Sequence, residues 1–138
     1  MNNRRHIIVG LLAPLVLIGV CEDCVTEPTN HNPIVTSIVA FPNPVQLADS
    51  FLVTCSAHDV DGDPLTYDWE CSNYGASIKG APTANPFKLA NTMEDTRVFY
   101  ARDSIPSLYE NYHAAIFCDV RDGKGGLKTV TITVLITR

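Results

Sequence analysis

The sequence predicts an all-β protein, a sandwich of seven strands in two sheets. Short runs of β-branched and aromatic residues recur through residues 33–138 with turn residues between them, which is typical of such a sandwich. No segment of that range shows sustained helical periodicity. Two runs, Val53 to Ala57 and Ile116 to Val120, lead into acidic turns that contain glycine. We interpret them as two core strands.

Six strands can be placed from the alternation of apolar and polar residues, because successive side chains of a strand point to opposite faces of a sheet. They are Ile34 to Phe41, Ser50 to Ala57, Leu65 to Cys71, Thr96 to Ala101, Tyr112 to Val120 and Leu127 to Thr137. The last alternates threonine with valine and isoleucine, whose β-branched side chains suit a half-buried pleated surface. A seventh strand is expected within Ala76 to Leu89.

The first twenty residues have the composition of a cleavable secretory signal. Arg4 and Arg5 precede an apolar run from Ile7 to Val20, which is too short for a bilayer core of about 30 Å that needs about 20 residues. The alternative is a retained membrane anchor or a buried N-terminal helix, and Pro14 argues against both. We therefore expect residues 1–20 to be removed on export.

The end of this segment, Leu17-Ile-Gly-Val-Cys21, resembles the lipobox of bacterial lipoproteins, in which a cysteine after a short aliphatic and small-residue tripeptide receives a lipid. Val20 stands where that family has glycine or alanine. The resemblance implies lipidation at Cys21, the one expected link to a membrane. The alternative is ordinary cleavage nearby, with Gly19 as the small residue. Either outcome places the protein at the cell surface, in the outer envelope or outside the cell.

The charge balance argues against nucleic acid as a partner. The chain has 15 acidic and 10 basic residues, and loss of Arg4 and Arg5 with the signal takes its net charge from −5 to −7. An acidic surface without a basic cluster repels phosphate backbones. Solubility and cation binding fit this composition better.

Residues 21–32 are predicted to form a flexible tether, because they are polar and short of large apolar groups. The domain then begins at Pro33. Its length up to Arg138 suits one sandwich of about 100 residues and is too short for two cores. We therefore expect one domain, 33–138.

The stretch Cys55-Ser-Ala-His-Asp-Val-Asp-Gly-Asp-Pro-Leu-Thr-Tyr-Asp-Trp69 resembles the start of a PKD domain, an immunoglobulin-like domain of secreted bacterial and archaeal proteins. Val120-Arg-Asp-Gly-Lys-Gly-Gly126 matches the closing turn of that family, and Ile34 with Pro42 to Val45 matches its opening. The chain departs from the family after Trp69, where the usual Phe-Gly-Asp-Gly turn is replaced. The resemblance implies a seven-stranded immunoglobulin-like sandwich of PKD type that acts as an adhesive, spacer or carbohydrate-associated module.

The same resemblance implies a disulfide between Cys55 and Cys118, which would join the two sheets as the B and F strands of immunoglobulin-type sandwiches are joined. Five cysteines in an exported chain are expected to pair. With Cys21 lipidated or removed, the remaining pair is Cys24 with Cys71.

Acidic residues of two loops form a candidate Ca²⁺ site. Asp59, Asp61 and Asp63 follow the second strand and Asp122 follows the sixth, and in an immunoglobulin-type sandwich these loops lie at the same end. Several carboxylate oxygens suit Ca²⁺. The alternative is that Asp59 and Asp122 cap turns by accepting backbone N–H groups, with Gly62 and Gly123 supplying positive φ. No other cofactor is expected.

Aromatic residues supply candidates for ligand contact. Tyr74, Tyr109 and Tyr112 lie in or beside two long irregular stretches, where binding residues of rigid sandwiches usually lie. Trp69 is expected to be buried against the disulfide between the sheets. The alternative for Trp69 is a sugar-stacking platform shared with two other tyrosines, Tyr67 and Tyr100.

No catalytic residues are predicted. Ser56, His58 and Asp59 are the nearest approach to a triad, but no glycine-flanked nucleophile turn or oxyanion arrangement accompanies them. We therefore expect a non-catalytic envelope module that binds a glycan or a protein. The alternative is a structural subunit that self-assembles into a filament or appendage, with Val25 to Val39 or Leu127 to Thr137 added to a neighbour's sheet edge.

Overall fold

The computed structural model describes residues 29–72, 75–105 and 110–138, which form nine strands and no α-helix. The strands are β1 (Ile34–Phe41), β2 (Val45–Gln46), β3 (Ser50–His58), β4 (Thr66–Cys71), β5 (Ala76–Ile78), β6 (Lys88–Thr92), β7 (Thr96–Ala101), β8 (Asn111–Arg121) and β9 (Leu127–Thr137). The first sheet has the order β1-β3-β7-β5 and the second β2-β9-β8-β4-β6. The prediction of an all-β protein is confirmed.

The structure has two more strands than the seven predicted. β5 and β6 form in and beside the span where one strand was expected, and they belong to different sheets, because β5 pairs with β7 and β6 pairs with β4. The chain therefore crosses between the sheets three times from β4 to β7. β2 is the other addition, a two-residue strand parallel to the end of β9.

The core lies between the two sheets and is centred on aromatic rings. Trp69 of β4 is fully buried, meets Phe99 of β7 edge to face at a centroid distance of 6.1 Å, and stacks on Tyr67 at 6.4 Å. Phe51 of β3 stacks on Phe99 at 5.4 Å. Burial of Trp69 and Tyr67 confirms that Trp69 is a core residue, so the alternative of a sugar platform built on these rings is wrong.

The register of the strands brings three segments to one end of the sandwich. Thr66, the first residue of β4, pairs with Arg121, the last residue of β8, so the β3–β4 loop and the β8–β9 turn are neighbours. Ile34, the first residue of β1, pairs with His58, the last of β3. The chain before β1 therefore reaches the same end.

All the buried hydrophobic side chains of the described residues lie between Val45 and Ile136. A segment 29–138 thus contains both sheets and their whole core, as expected of a unit that folds alone. Among the described residues there is no helix long and apolar enough to cross a membrane.

Candidate functional site

The loop between β3 and β4 folds around the side chain of Asp59. Its Oδ1 accepts hydrogen bonds from the backbone N–H groups of Asp61 at 2.8 Å and Asp63 at 3.3 Å, and Gly62 has a φ of 78°, which glycine adopts without strain. This turn brings ligand oxygens of the three aspartates within 4.8 Å of one another. The predicted grouping of these three carboxylates is therefore present.

Asp122 turns away from this group and caps its own turn. Its Oδ1 accepts from the backbone N–H groups of Lys124 at 2.7 Å and Gly126 at 2.9 Å, and its Oδ2 accepts from the Asn30 amide at 2.7 Å. Gly126 permits this close approach, since a Cβ there would lie 2.0 Å from Asp122 Oδ2. Asp122 is thus a buried turn cap, as in the alternative interpretation, and not a fourth member of the acidic group.

The same contacts set the protonation of Asp122. The hydrogen bond from the Asn30 amide, with those from the two backbone N–H groups, holds the pKa of Asp122 below its ordinary value. Each of these donors stabilises the charged carboxylate. Asp122 therefore remains ionised in its buried position.

Lys124 links the β8–β9 turn to the acidic group. Its Nζ lies 2.7 Å from Oδ1 of Asp63, whose side chain is only 9% exposed, whereas the Lys124 side chain is 63% exposed. The hydrogen bond and charge of Asp63 raise the pKa of Lys124. The lysine thus pairs with Asp63 while most of its own side chain stays in solvent.

The segment before β1 also binds this end of the sandwich. The backbone N–H of His31 donates to Asp61 Oδ2 at 2.8 Å, and its ring Nδ1 lies 3.0 Å from Asp61 Oδ1. These hydrogen bonds, the backbone one first, hold the pKa of Asp61 below its ordinary value. Asn32 Oδ1 accepts from the backbone N–H of Leu127. Residues 30–32, at the end of the predicted tether, therefore contact the sandwich loops.

Two carboxylate oxygens of the acidic group have no hydrogen-bond partner. They are Oδ2 of Asp59 and Oδ2 of Asp63, and both atoms are buried. Leaving a buried polar atom unsatisfied costs about 1–3 kcal/mol, and more for a charged group. Hard cations such as Ca²⁺ prefer carboxylate oxygens, and oxygens that share one Ca²⁺ at about 2.3–2.6 Å lie at most about 5 Å apart. The donor set and its spacing therefore fit such an ion.

The three described cysteines are free thiols, so the expected disulfide between Cys55 and Cys118 is not formed in this structure. The two side chains nevertheless meet across the core, where the thiols share a hydrogen bond. This bond and then burial raise the pKa of Cys118, and burial raises that of Cys71. Cys24 and the lipidation candidate Cys21 lie outside the described residues.

One of the three tyrosines proposed for ligand contact, Tyr112, lies among the described residues. Tyr112 is half-buried at the start of β8, with the Arg102 guanidinium 4.8 Å from the centroid of its ring. One face of this ring is therefore occupied within the protein. Tyr74 and Tyr109 lie outside the described residues.

The nearest approach to a catalytic triad is not assembled among the described residues. Ser56 and His58 lie on the outward side of β3, and no hydrogen bond joins either side chain to Asp59, which is turned into its own loop.

The strands expected to add to a neighbour's sheet are already paired within the chain. Ile34–Phe41 pairs with β3 along its length, and β9 pairs with β8 along its length and with β2 at its end. The N-terminal part of the first candidate lies outside the described residues. β1 is the edge strand of the first sheet, and β3 is its partner on one side only.

A shallow groove of about 210 Å³ lies on the outer face of the second sheet. Its charged side chains are all paired. Lys88 lies 3.3 Å from Glu70, and Arg121, beside the groove, lies 3.0 Å from Asp68 and 3.3 Å from Asp119. These pairs account for the charge of the groove without a ligand.

No protein-family model and no curated protein matches the chain. A solved nucleoside hydrolase-related hypothetical protein from Saccharophagus degradans, associated with carbohydrate metabolism, is similar with a TM-score of 0.48 and 17% identity, over 78% of this chain and 26% of that one. A conjugative transposon lipoprotein from Bacteroides eggerthii is similar with a TM-score of 0.42 and 14% identity, over 75% of this chain and 94% of that one. Domains 4 and 5 of the S-layer protein SbsC are similar with a TM-score of 0.37 and 13% identity, over 78% of this chain and 54% of that one.

The chain spans about a quarter of the first of these structures and about half of the third. All three TM-scores lie below 0.5, and similarities of this size assign no function.

Proposed function

We propose that the chain is a non-catalytic, exported module of the cell envelope, of immunoglobulin-like PKD type, that binds Ca²⁺ at one end and presents that end to a glycan or protein. The observation that carries the proposal is the pair of buried, unpartnered oxygens of Asp59 and Asp63 at the meeting point of two loops. Export is supported by the signal-like N-terminus and the lipobox-like sequence that ends at Cys21.

The order of the strands supports the immunoglobulin type. The sheets β1-β3-β7-β5 and β9-β8-β4-β6 correspond to the A-B-E-D and G-F-C-C′ orders of such domains. One feature departs from that pattern. β5, the edge strand beside β7, comes before β6, the edge strand beside β4, in the sequence. The departure falls where the sequence also leaves the PKD pattern, after Trp69.

The charge of the acidic group supports cation binding. Three carboxylates face one ammonium, that of Lys124, which contacts a single oxygen of Asp63. A divalent cation would neutralise the group further and supply partners for the two unpaired oxygens. Lys124 is mostly exposed on a flexible side chain, so it can swing into solvent when a cation enters.

Isothermal titration calorimetry of segment 29–138 with CaCl₂ tests this site. We expect saturable binding of one Ca²⁺ per chain, and loss of binding in Asp63→Asn, which removes a charged ligand but keeps the size of the side chain. Asp103→Asn, an exposed aspartate outside the acidic group, is the matched control and should bind as the wild type does. An absence of binding heat at millimolar Ca²⁺ in the wild type would contradict the proposal.

Cell fractionation of the full chain tests export separately. We expect the protein in the envelope or medium, without residues 1–20. If Cys21 carries a lipid, Cys21→Ser moves the protein from the membrane fraction to a soluble exported fraction; if ordinary cleavage occurs, both forms are soluble. An intact chain that stays in the cytoplasm would exclude an envelope role even if Ca²⁺ binds.

A further inference from the structure

The outer face of the first sheet carries a continuous group of apolar side chains. Phe41, Leu52 and Val98 are direct cross-strand neighbours on β1, β3 and β7. Val39 and Tyr100 lie two residues along their strands from this row, on the same side. Phe41 is 76% exposed, Val39 54%, Leu52 46% and Tyr100 42%. We name these five residues the apolar face.

The strands around the apolar face carry no charged side chain on their outer side. The strand residues of β1, β3, β5 and β7 that point to this side include no aspartate, glutamate, lysine or arginine, and most of the others are serine or threonine. The outer face of the second sheet differs, since it carries Asp68, Glu70, Lys88, Asp119 and Arg121. The strand residues on this side of the sandwich therefore include none of the acidic residues that the structure describes.

We propose that two copies of this chain associate through the apolar face, sheet against sheet around a two-fold axis. In a two-fold interface the same patch meets itself, so the patch must complement its own charge. The strands of this face carry no charged side chain on their outer side, so two copies can meet without opposed charges, whereas other surfaces of an acidic chain repel their copies. Lys79, which follows β5 and donates its backbone N–H to the carbonyl of Val98, lies at the edge of the face. A strongly acidic partner would be recognised by several lysine or arginine side chains rather than by this single lysine.

The size of the face fits a weak, reversible dimer. Its strands have eight, nine, six and three residues; at about 4.8 Å between strands and about 3.3 Å per residue they present roughly 400 Å² of projected area. Two such faces together present roughly 800 Å², which lies in the range of weak and transient interfaces. The contact resembles the packing of sheets about 10 Å apart within a sandwich. It leaves every strand pair of the two sheets intact.

Sedimentation equilibrium of segment 29–138 over a range of concentrations tests the proposal. This segment lacks Cys21 and Cys24, so intermolecular disulfides through those residues cannot produce a dimer. We expect a reversible monomer–dimer equilibrium, and Phe41→Asp or Leu52→Asp should raise the dimer dissociation constant about tenfold or more. Met93→Asp, at a 78% exposed apolar residue away from this face, is the matched control and should leave the constant unchanged.

Thermal denaturation of each variant shows whether it is folded, and two different positions on the face guard against a variant that fails to fold. A monomer at all concentrations up to the millimolar range would overturn the proposal. A dimer that persists in both variants would place the interface elsewhere and would also overturn it. Open-ended assemblies would contradict a two-fold contact, which closes on itself.

Discussion

The ammonium of Lys124 lies 2.7 Å from Oδ1 of Asp63, and this ion pair joins the β8–β9 turn to the β3–β4 loop. The other oxygen of Asp63 is buried without a partner. One carboxylate is therefore half satisfied by the protein itself, and its remaining oxygen is left for an ion or water. The ion pair also places the lysine in competition with any cation that binds the acidic group.

This competition predicts the effect of replacing Lys124. We expect Lys124→Gln to bind Ca²⁺ more tightly than the wild type, because the positive charge that shields Asp63 is removed. Without Ca²⁺ the same variant should unfold at a lower temperature, because the carboxylates then repel each other. Calorimetric titration of both proteins measures the change. Lys79→Gln, at an exposed lysine beyond β5, is the control, and weaker binding by Lys124→Gln would contradict the competition.

Asp122 should stabilise the fold whether or not Ca²⁺ is present. Asp122→Ala removes acceptors for two backbone N–H groups and for the Asn30 amide, so we expect the melting temperature to fall by several degrees with and without the ion. Thermal denaturation followed by circular dichroism measures the change. Asp103→Ala is the control at an exposed aspartate. A loss of stability seen only with Ca²⁺ would instead assign Asp122 to the cation site.

Acid should weaken this end of the molecule first. Asp61 and Asp122 have pKa values below the ordinary value. Such groups contribute stability above their unfolded pKa of about 3.9 and lose it as the pH falls through the folded pKa. We expect the melting temperature of the wild type to decrease as the pH is lowered below about 4. The difference in melting temperature between the wild type and Asp122→Ala should shrink over the same pH range. A difference that stays constant down to pH 3 would show that ionisation of Asp122 does not contribute.

Cys55 and Cys118 are free thiols here, and their side chains meet between the sheets. If the chain is exported, as proposed above, it enters an oxidising compartment, and we then expect a disulfide between them. Peptide mapping of alkylated protein should recover Cys55 linked to Cys118, with Cys24 linked to Cys71, and reduction should lower the free energy of unfolding by about 2–4 kcal/mol. The double variant Cys55→Ala, Cys118→Ala serves as a control that lacks the bridge between the sheets. Recovery of Cys55 and Cys118 as alkylated thiols from exported protein would contradict the prediction.

The aromatic core provides a spectroscopic test of the fold. Trp69 is the one tryptophan of the chain and is fully buried against Phe99. Its fluorescence emission should therefore shift to longer wavelength on unfolding. Phe99→Ala should cost about 3–5 kcal/mol of stability by leaving a cavity. Met93→Ala, at a side chain that is 78% exposed and lies away from the apolar face, should change stability by about 0.5 kcal/mol or less. Similar losses in both variants would contradict this packing.

The strands with regular alternation could be predicted from the sequence, and the irregular ones could not. The bounds of β1, β7 and β9 match the predicted ranges, because each alternates clearly and ends at turn residues. β5 and β6 were merged into one expected strand, because each has five residues or fewer and they are separated by a stretch with Gly80 and two prolines. β2 has two residues, which are too few to show an alternation of apolar and polar side chains.

The candidate site was predicted in part for a similar reason. Asp59, Asp61 and Asp63 form one short turn, so their grouping follows from local sequence. The position of Asp122 depends on Gly126, where the absence of a Cβ lets the carboxylate fold back onto its own turn. The contacts of Asn30 are made with a residue 92 positions away, and no local pattern indicates them.

The central claim, that this end of the sandwich binds Ca²⁺, is tested most directly by the melting temperature of segment 29–138 in millimolar CaCl₂ and in chelator. An ion that binds only the folded state should stabilise it by about 2.7 kcal/mol when its concentration is 100 times the dissociation constant. We therefore predict a higher melting temperature in CaCl₂ than in chelator for the wild type, and no difference for Asp63→Asn. Identical melting curves for the wild type in the two conditions would contradict the claim.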